Sequence, residues 1–357
     1  MSKFGLWWVR WNGSDYESRM TVGSRKATVG DFKERGFDRI VVLSGEGRGI
    51  NYRGSGYGNG YMDGLHFAHW VLSNILGDVE YYITIPFSDK NGNLRDNPAN
   101  GFDGSYWRGW IDGVLNVYDP RRIGFYWSYE SCLQATINDP ALKVLSISDN
   151  QKEQYKEAYV QFIKDMSNYT HSNGLELVWI PATGDRGVTY LRKDSFDGIP
   201  TIGSYFDYVF VQPNYYQNSI CIEYINGHKQ TLPYSYEKLV EKIRWVYEEL
   251  PRNINNPNTR ISIEMEADRS ILYEYISKTH REENFRESLI EKCGPRFTRE
   301  CLLRYTYEAK EIAFQYITGQ KDVLGKKYKD LAYYFSVDLG VIDEMEGFSR
   351  RFGGRYV

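Results

Sequence analysis

The sequence predicts an α/β fold, a single (β/α)8 barrel spanning residues 1–357, and three observations carry that expectation. Apolar runs of strand length recur along the chain in the number a closed barrel needs. Segments of helical period separate several of them, the alternation that implies parallel pairing. Two of the runs end in glutamates, where a barrel of this kind builds its active site.

In chain order the runs are Gly5 to Trp11, Asp38 to Ser44, Glu80 to Pro86, Arg122 to Glu130, Leu175 to Pro181, Phe206 to Asn214, Thr259 to Glu266 and Leu331 to Val337. The fourth opens after the helix breakers Asp119 and Pro120, and alternation divides it into two faces. Gly124, Tyr126, Ser128 and Glu130 lie on one, and Ile123, Phe125, Trp127 and Tyr129 on the other. The more polar set belongs on the barrel axis and the apolar set under the helices, because both faces of a parallel sheet are covered. Trp127 is thereby sent outward. By the same parity the sixth run turns Tyr208, Phe210, Gln212 and Asn214 inward. The seventh opens after Asn255 to Asn258 and separates Ser262, Glu264 and Glu266 from Ile261, Ile263 and Met265.

Helical period covers His66 to Leu76, Tyr106 to Val117, Gln151 to Asn173 and Ser235 to Glu249. A barrel takes ~250 residues, so the surplus falls to insertions after the strands. These are the glycine-rich Gly45 to Gly64, the polar Phe87 to Ser105, the loop Tyr215 to Leu232, and a long helical insertion at 267–329 between the seventh and eighth strands.

Composition narrows the function. With 41% hydrophobic residues and a formal net charge of -3, the chain buries a sizeable core and lacks the clustered basic face that a nucleic-acid partner requires. Tyrosine (31) and tryptophan (9) supply apolar faces with polar edges, the mixture that sugars also present, although core packing is the other use of such side chains. The start MSKFGLWWVRW has no apolar leader region and no stretch reaches the length of a membrane span, so the expectation is a cytoplasmic protein with no membrane partner, unless a processed form is secreted. Four scattered cysteines form no CxxC pair. Oligomeric state is not legible.

The chemistry is expected from carboxylates. Glu130 is the candidate general acid/base, since burial beside an aromatic strand favours the neutral acid; the alternative is a cap on a following helix. Glu264 and Glu266 sit two residues apart on one face, ~7 Å along the strand, so that one serves as nucleophile while the other holds a hydroxyl or an arginine such as Arg10. Glu266 is preferred as the nearer to the mouth. Gln212, Asn214, Tyr215 and Tyr216 end the sixth strand as QPNYY, suited to binding hydroxyls or forming a turn, and Trp8 and Trp179 are further substrate-binding candidates. His66 and His69 with Asp63 have metal-ligand spacing but sit inside a helix away from the strand tips. No metal and no cofactor is expected.

The strings GFYWSYE, LELVWIPA, FDYVFVQPNYY and ISIEMEAD together resemble the domain of unknown function 4855 family, over roughly Arg122 to Asp268. The resemblance implies a TIM barrel related to glycoside hydrolases, with Glu130, Gln212, Asn214, Glu264 and Glu266 in equivalent positions. The broader retaining barrel glycosidases carry the acid/base on strand four and the nucleophile on strand seven. Their usual Asn-Glu pair is replaced here by Tyr129-Glu130. The expected activity is hydrolysis of a neutral oligo- or polysaccharide with retention. The alternatives are a non-catalytic carbohydrate-binding barrel and a metal-dependent sugar isomerase or hydrolase that uses Glu130, Glu264 and Glu266 as ligands.

Overall fold

The computed structural model describes residues 1–44, 52–88, 92–185, 188–191, 198–215, 218, 220–225, 228–267, 314–325, 327, 329–351 and 354–357. Eight of its strands form the barrel: β1 (Lys3–Trp11), β2 (Arg39–Ser44), β3 (Glu80–Ile85), β4 (Arg122–Trp127), β5 (Glu176–Trp179), β6 (Tyr208–Val211), β7 (Arg260–Glu266) and β8 (Leu331–Tyr334). Each pairs in parallel with the next, and β8 returns to β1 through Lys3↔Leu331, Phe4↔Ala332 and Gly5↔Tyr333. All eight expected strands are present, most of them trimmed by a residue or more where the chain bends into a loop.

Parity decides the two layers. Phe4, Leu6, Val41, Leu43, Tyr126, Val178, Tyr208, Phe210 and Ala332 fill the interior, while Phe125, Trp127, Ile261, Ile263 and Met265 join the outer layer. The amino-terminal end of the cylinder is closed by Arg39, which donates to the hydroxyls of Tyr82 (2.9 Å) and Tyr208 (2.8 Å) and pairs with Glu80 (3.3 Å) and Glu176 (3.4 Å). The opposite end, where the strands finish, carries the polar side chains.

The covering helices include α1 (Val29–Glu34), α2 (Tyr57–Asn74), α3 (Tyr106–Leu115), α4 (Lys152–Ser172), α5 (Tyr236–Arg244) and α6 (Gly340–Arg351), with residues 314–324 also helical. Ser105 and Ser235 cap α3 and α5 by accepting from the backbone N–H groups of Arg108 and Lys238. Among the described residues no helix is long and apolar enough to cross a membrane.

Two loop expectations are corrected. The glycine-rich segment is not a loop throughout: α2 begins at Tyr57, nine residues before the expected start at His66. Gly60 and Gly64 of α2 face Gly109 and Gly113 of α3, and a Cβ on any of the four would overlap a backbone carbonyl oxygen of the other helix. Small residues four apart on both partners bring the two backbones together, a use that a single-sequence reading takes for a turn signal. The segment from Tyr215 to Leu232 is likewise not a plain loop. Ile220–Ile225 and His228–Pro233 form a hairpin that joins Val188–Tyr190 and Gly184–Asp185 in a four-stranded sheet outside the barrel. Of the expected insertion at 267–329, residues 268–313 lie outside the described residues.

The glycine contact makes a prediction. Gly109→Ala should destabilise the fold by about 1–3 kcal/mol or more in urea denaturation, because its methyl has no space. Gly58→Ala, in the same α2 but with nothing near its Cβ, should be neutral or stabilising by about 0.5–1 kcal/mol. Equal effects at the two positions would refute the close crossing.

Candidate active site

Glu130 follows β4 and turns back into the mouth, not toward a helix cap. Its Oε1 accepts from the hydroxyl of Tyr126 at 2.9 Å, and its Oε2 from the amide Nε2 of Gln212 at 3.0 Å. Tyr126 lies four residues earlier on the same inward face, so parity alone brings it under the carboxyl. Gln212 lies just beyond β6, and its Nε2 also donates to the carbonyl of Ile180 at 3.1 Å.

Glu266 ends β7 and is 1% exposed. Its Oε1 accepts from the backbone N–H of Asn214 at 3.2 Å and from Asn214 Nδ2 at 3.5 Å; its Oε2 accepts from the hydroxyl of Tyr316. That hydroxyl in turn accepts from the backbone N–H of Tyr215 at 3.0 Å, which leaves its proton directed at the carboxylate. Asn214 Nδ2 also lies 3.3 Å from Gln212 Oε1. Side-chain amides therefore bridge one carboxyl to the other, in the order Glu130, Gln212, Asn214, Glu266.

The turn that allows this is strained in a way suited to its sequence. Asn214 has φ 52°, the left-handed region that asparagine tolerates better than other non-glycine residues. Pro213 fixes the approach, and the left-handed residue then aims both its backbone N–H and its side chain at Glu266.

Electrostatics couple the two acids. Burial pushes the Glu130 carboxyl up from the ordinary carboxylate range, against the pull of Gln212 and Tyr126. Burial also pushes Glu266 up to about 8; hydrogen bonds from Tyr316, Asn214 and Tyr215 oppose this, and the charge of Glu130 adds to it. Two carboxyls that repel each other in a buried cavity titrate as a pair and retain one proton near neutrality.

The other expected residues are distributed as follows. Glu264 is 3% exposed, and its register partner Ala332 pairs in turn with Phe4, one layer below Glu266 and Tyr334. Trp8 faces inward from β1, edge-on to Tyr334 at 6.5 Å, with a buried indole N–H that has no hydrogen-bond partner among the described residues. Trp179 is placed otherwise than expected: its odd parity turns it to the outer layer, stacked on Phe206 with its indole donating to the carbonyl of Tyr129 at 2.8 Å. Arg10 is exposed and paired with Glu17 on the antiparallel strand Tyr16–Ser18 beside β1, so it is not the partner of the β7 glutamates. Tyr215 packs edge-on between Tyr234 and Tyr316 and donates to Gln315 Oε1 at 2.7 Å, behind the carboxylates rather than over them. Tyr216 lies outside the described residues. Asp63 is fully buried and serves structure, accepting from Tyr106 (2.8 Å) and pairing with Arg53, while His66 lies 3.3 Å from Asp15.

Sequence reasoning missed Tyr316. It belongs to the helix at 314–324, far along the chain from β7 and inside what reads as an insertion. Only the fold brings its hydroxyl to Glu266.

A closed parallel barrel whose carboxyl-terminal mouth holds two amide-bridged glutamates defines the class. The chain is 30% identical over 308 residues to the uncharacterized protein MJ0957 of Methanocaldococcus jannaschii, covering 75% of this chain and 77% of that protein, and it belongs to the same family. No family model matches it. Among solved structures it is similar to the spore cortex-lytic enzyme SleL of Bacillus megaterium (11% identity, 94% of this chain and 70% of that one, TM-score 0.42). It is also similar to a beta-glucosidase of Thermotoga maritima (10% identity, 86% and 75%, TM-score 0.41) and to the group IV chitinase of Ostrinia furnacalis (11% identity, 75% and 66%, TM-score 0.40). Likenesses this distant carry no argument about activity, which rests on the site itself.

The raised pair makes stability depend on pH. Between the ordinary carboxylate range near 4.5 and the raised value of about 8, the folded chain binds a proton that the unfolded chain has released. Stability should therefore fall as pH rises from 5 to 8, by up to about 1.4 kcal/mol per pH unit per proton. Glu266→Gln, which removes one member of the pair, should flatten that slope in urea denaturation at stepped pH; an unchanged slope would show that the pair is not responsible.

Proposed function

We propose that the chain is a glycoside hydrolase acting on a neutral oligo- or polysaccharide with retention, Glu130 serving as acid/base and Glu266 as nucleophile. The observation that carries the reading is the pair of carboxyls, the partly buried Glu130 after strand four and the buried Glu266 on strand seven, held in a single mouth by Gln212 and Asn214. We propose likewise that the chain belongs with the domain of unknown function 4855 family, whose motifs it resembles.

The roles follow from which donors are able to reverse. Both oxygens of Glu266 face donors that stay donors: a backbone N–H, and a phenol whose lone pair is already engaged by another backbone N–H. These donors favour the carboxylate and oppose the burial that raises Glu266. Glu130 Oε1 instead meets the hydroxyl of Tyr126, which is able to turn and accept, while Oε2 keeps the amide of Gln212. That site accommodates the acid. With Glu130 protonated its charge no longer raises Glu266, so the single proton of the pair rests on Glu130.

Catalysis then runs in two displacements. Glu266 attacks the anomeric carbon as the bond to the departing oxygen breaks, and Glu130 gives that oxygen its proton. Glu130, now a carboxylate, takes a proton from water as the water oxygen attacks the same carbon and Glu266 leaves. Trp8, partly buried and facing inward from β1, offers a ring face to the sugar.

The test is hydrolysis of a panel of neutral glycans, with product anomers followed by NMR. Glu130→Gln should lower kcat/KM about 10²–10⁴-fold, and azide should rescue Glu266→Ala with inverted product, as expected when the nucleophile is missing. Glycan binding with no turnover by the native chain would leave a binding barrel in place of an enzyme. Tyr316→Phe should raise the acidic limb of the pH–rate profile, because Glu266 loses a donor that stabilises its charge, and cost about 1–3 kcal/mol of stability; an unmoved profile would remove Tyr316 from the site.

A further inference from the structure

Behind the wall that carries Glu266, on the outer side of the barrel, lies a cleft of about 800 Å³. Parity creates it: Met265 and Tyr333 point outward from β7 and β8 while their neighbours point to the mouth. The helix at 314–324 contributes Ile317 and Lys321, and residues 354–357 add to the lining. One part is apolar, formed by Met265, Ile317, Leu331 and Tyr333. The other carries Lys3, Lys321, Arg350 and Arg355, and among the described residues no aspartate or glutamate side chain lines the cleft.

The balance of charge is what singles it out. Arg350 pairs with Glu346 at 3.1 Å, and Glu346 also accepts the backbone N–H groups of Tyr356 at 2.8 Å and Val357 at 3.3 Å. Glu346 is thus occupied. Lys3, Lys321 and Arg355 have no carboxylate partner among the described residues. The Lys3 ammonium is half-buried, and burial lowers its pKa; Glu346 opposes this, Arg355 adds to it and Asp38 opposes it. An adjoining cavity of about 450 Å³ shares Lys3, Arg350 and Arg355 and adds Arg35, but it is lined as well by Glu34, Asp343 and Glu346, which offset most of that charge. Tyr356, 3% exposed and lining the larger cleft, has a buried hydroxyl with no hydrogen-bond partner among the described residues.

We propose that this cleft is a binding site for a small phosphate monoester, with its phosphate among Lys3, Lys321 and Arg355 and its apolar part against Met265, Ile317, Leu331 and Tyr333. Three cations with no carboxylate partner among the described residues match the ≈ -1.5 to -2 charge of a phosphate monoester better than a single carboxylate. The volume is that of a small-molecule site, typically ~300–1,000 Å³. The site shares no residue with the mouth and stands whether or not the chain cleaves glycosides.

Calorimetric titration of the full chain at low salt with inorganic phosphate and with phenyl phosphate tests it. Phenyl phosphate should bind at least about tenfold more tightly than inorganic phosphate, and the double variant Lys321→Ala/Arg355→Ala, with its melting temperature checked, should weaken both by at least about tenfold. Rising salt should weaken both ligands in the native chain. Absence of binding at millimolar ligand, equal affinity for the two ligands, or affinity unchanged in the double variant would each overturn the proposal. Met265→Glu, which places a carboxylate in the apolar part, is the second variant: it should abolish the preference for phenyl phosphate, and a preserved preference would be equally fatal.

Discussion

Closure of β8 on β1 is the constraint from which the remaining structure follows. A parallel sheet left open has two edges; closing it removes both and gives every strand an inside and an outside. Only then do Glu130 and Glu266, from strands that are not neighbours, share a cavity. The same closure sets the depth of each residue, because the pairing of Glu264 with Ala332 and of Ala332 with Phe4 sinks Glu264 a layer below Glu266.

The mouth is held at the expense of local stability. Two acids removed from water resist ionisation, and the chain answers with donors that cannot turn away: the backbone N–H groups of Asn214 and Tyr215 and the amide of Gln212. Asn214 is where the two demands meet, since its left-handed φ is what brings a backbone donor to Glu266. Helix packing elsewhere supplies rigidity. The four-glycine crossing of α2 and α3 lets these helices approach to backbone contact, and the buried Asp63 network fastens the start of α2 to α3.

The outer side of β7 gives the wall a second face. Met265 stands between two glutamates in sequence, yet it lines a basic cleft, and the sulfur of its side chain accepts from Gln320 Nε2 at 2.9 Å. The helix that directs Tyr316 at Glu266 also directs Lys321 at that cleft. Strand and helix periodicity thus place two chemically distinct surfaces on the two sides of one wall.

Much of this was legible in the sequence because it depends on local period. The eight runs, the inward face of β4, β6 and β7, and the candidacy of Glu130, Gln212, Asn214 and Glu266 follow from alternation and from turn residues at strand ends, which are properties of neighbouring positions. What only the tertiary structure decided depends on residues distant in the chain. Trp179 and Arg10 looked like site residues by type, and packing against Phe206 and pairing with Glu17 assigned them elsewhere. The glycines of α2 read as a loop because the reason for them, the backbone of α3, is some fifty residues away. Tyr316 carried no signal, since a phenol inside a helix becomes a partner for a carboxylate only when a closed barrel brings that carboxylate within reach of its hydroxyl.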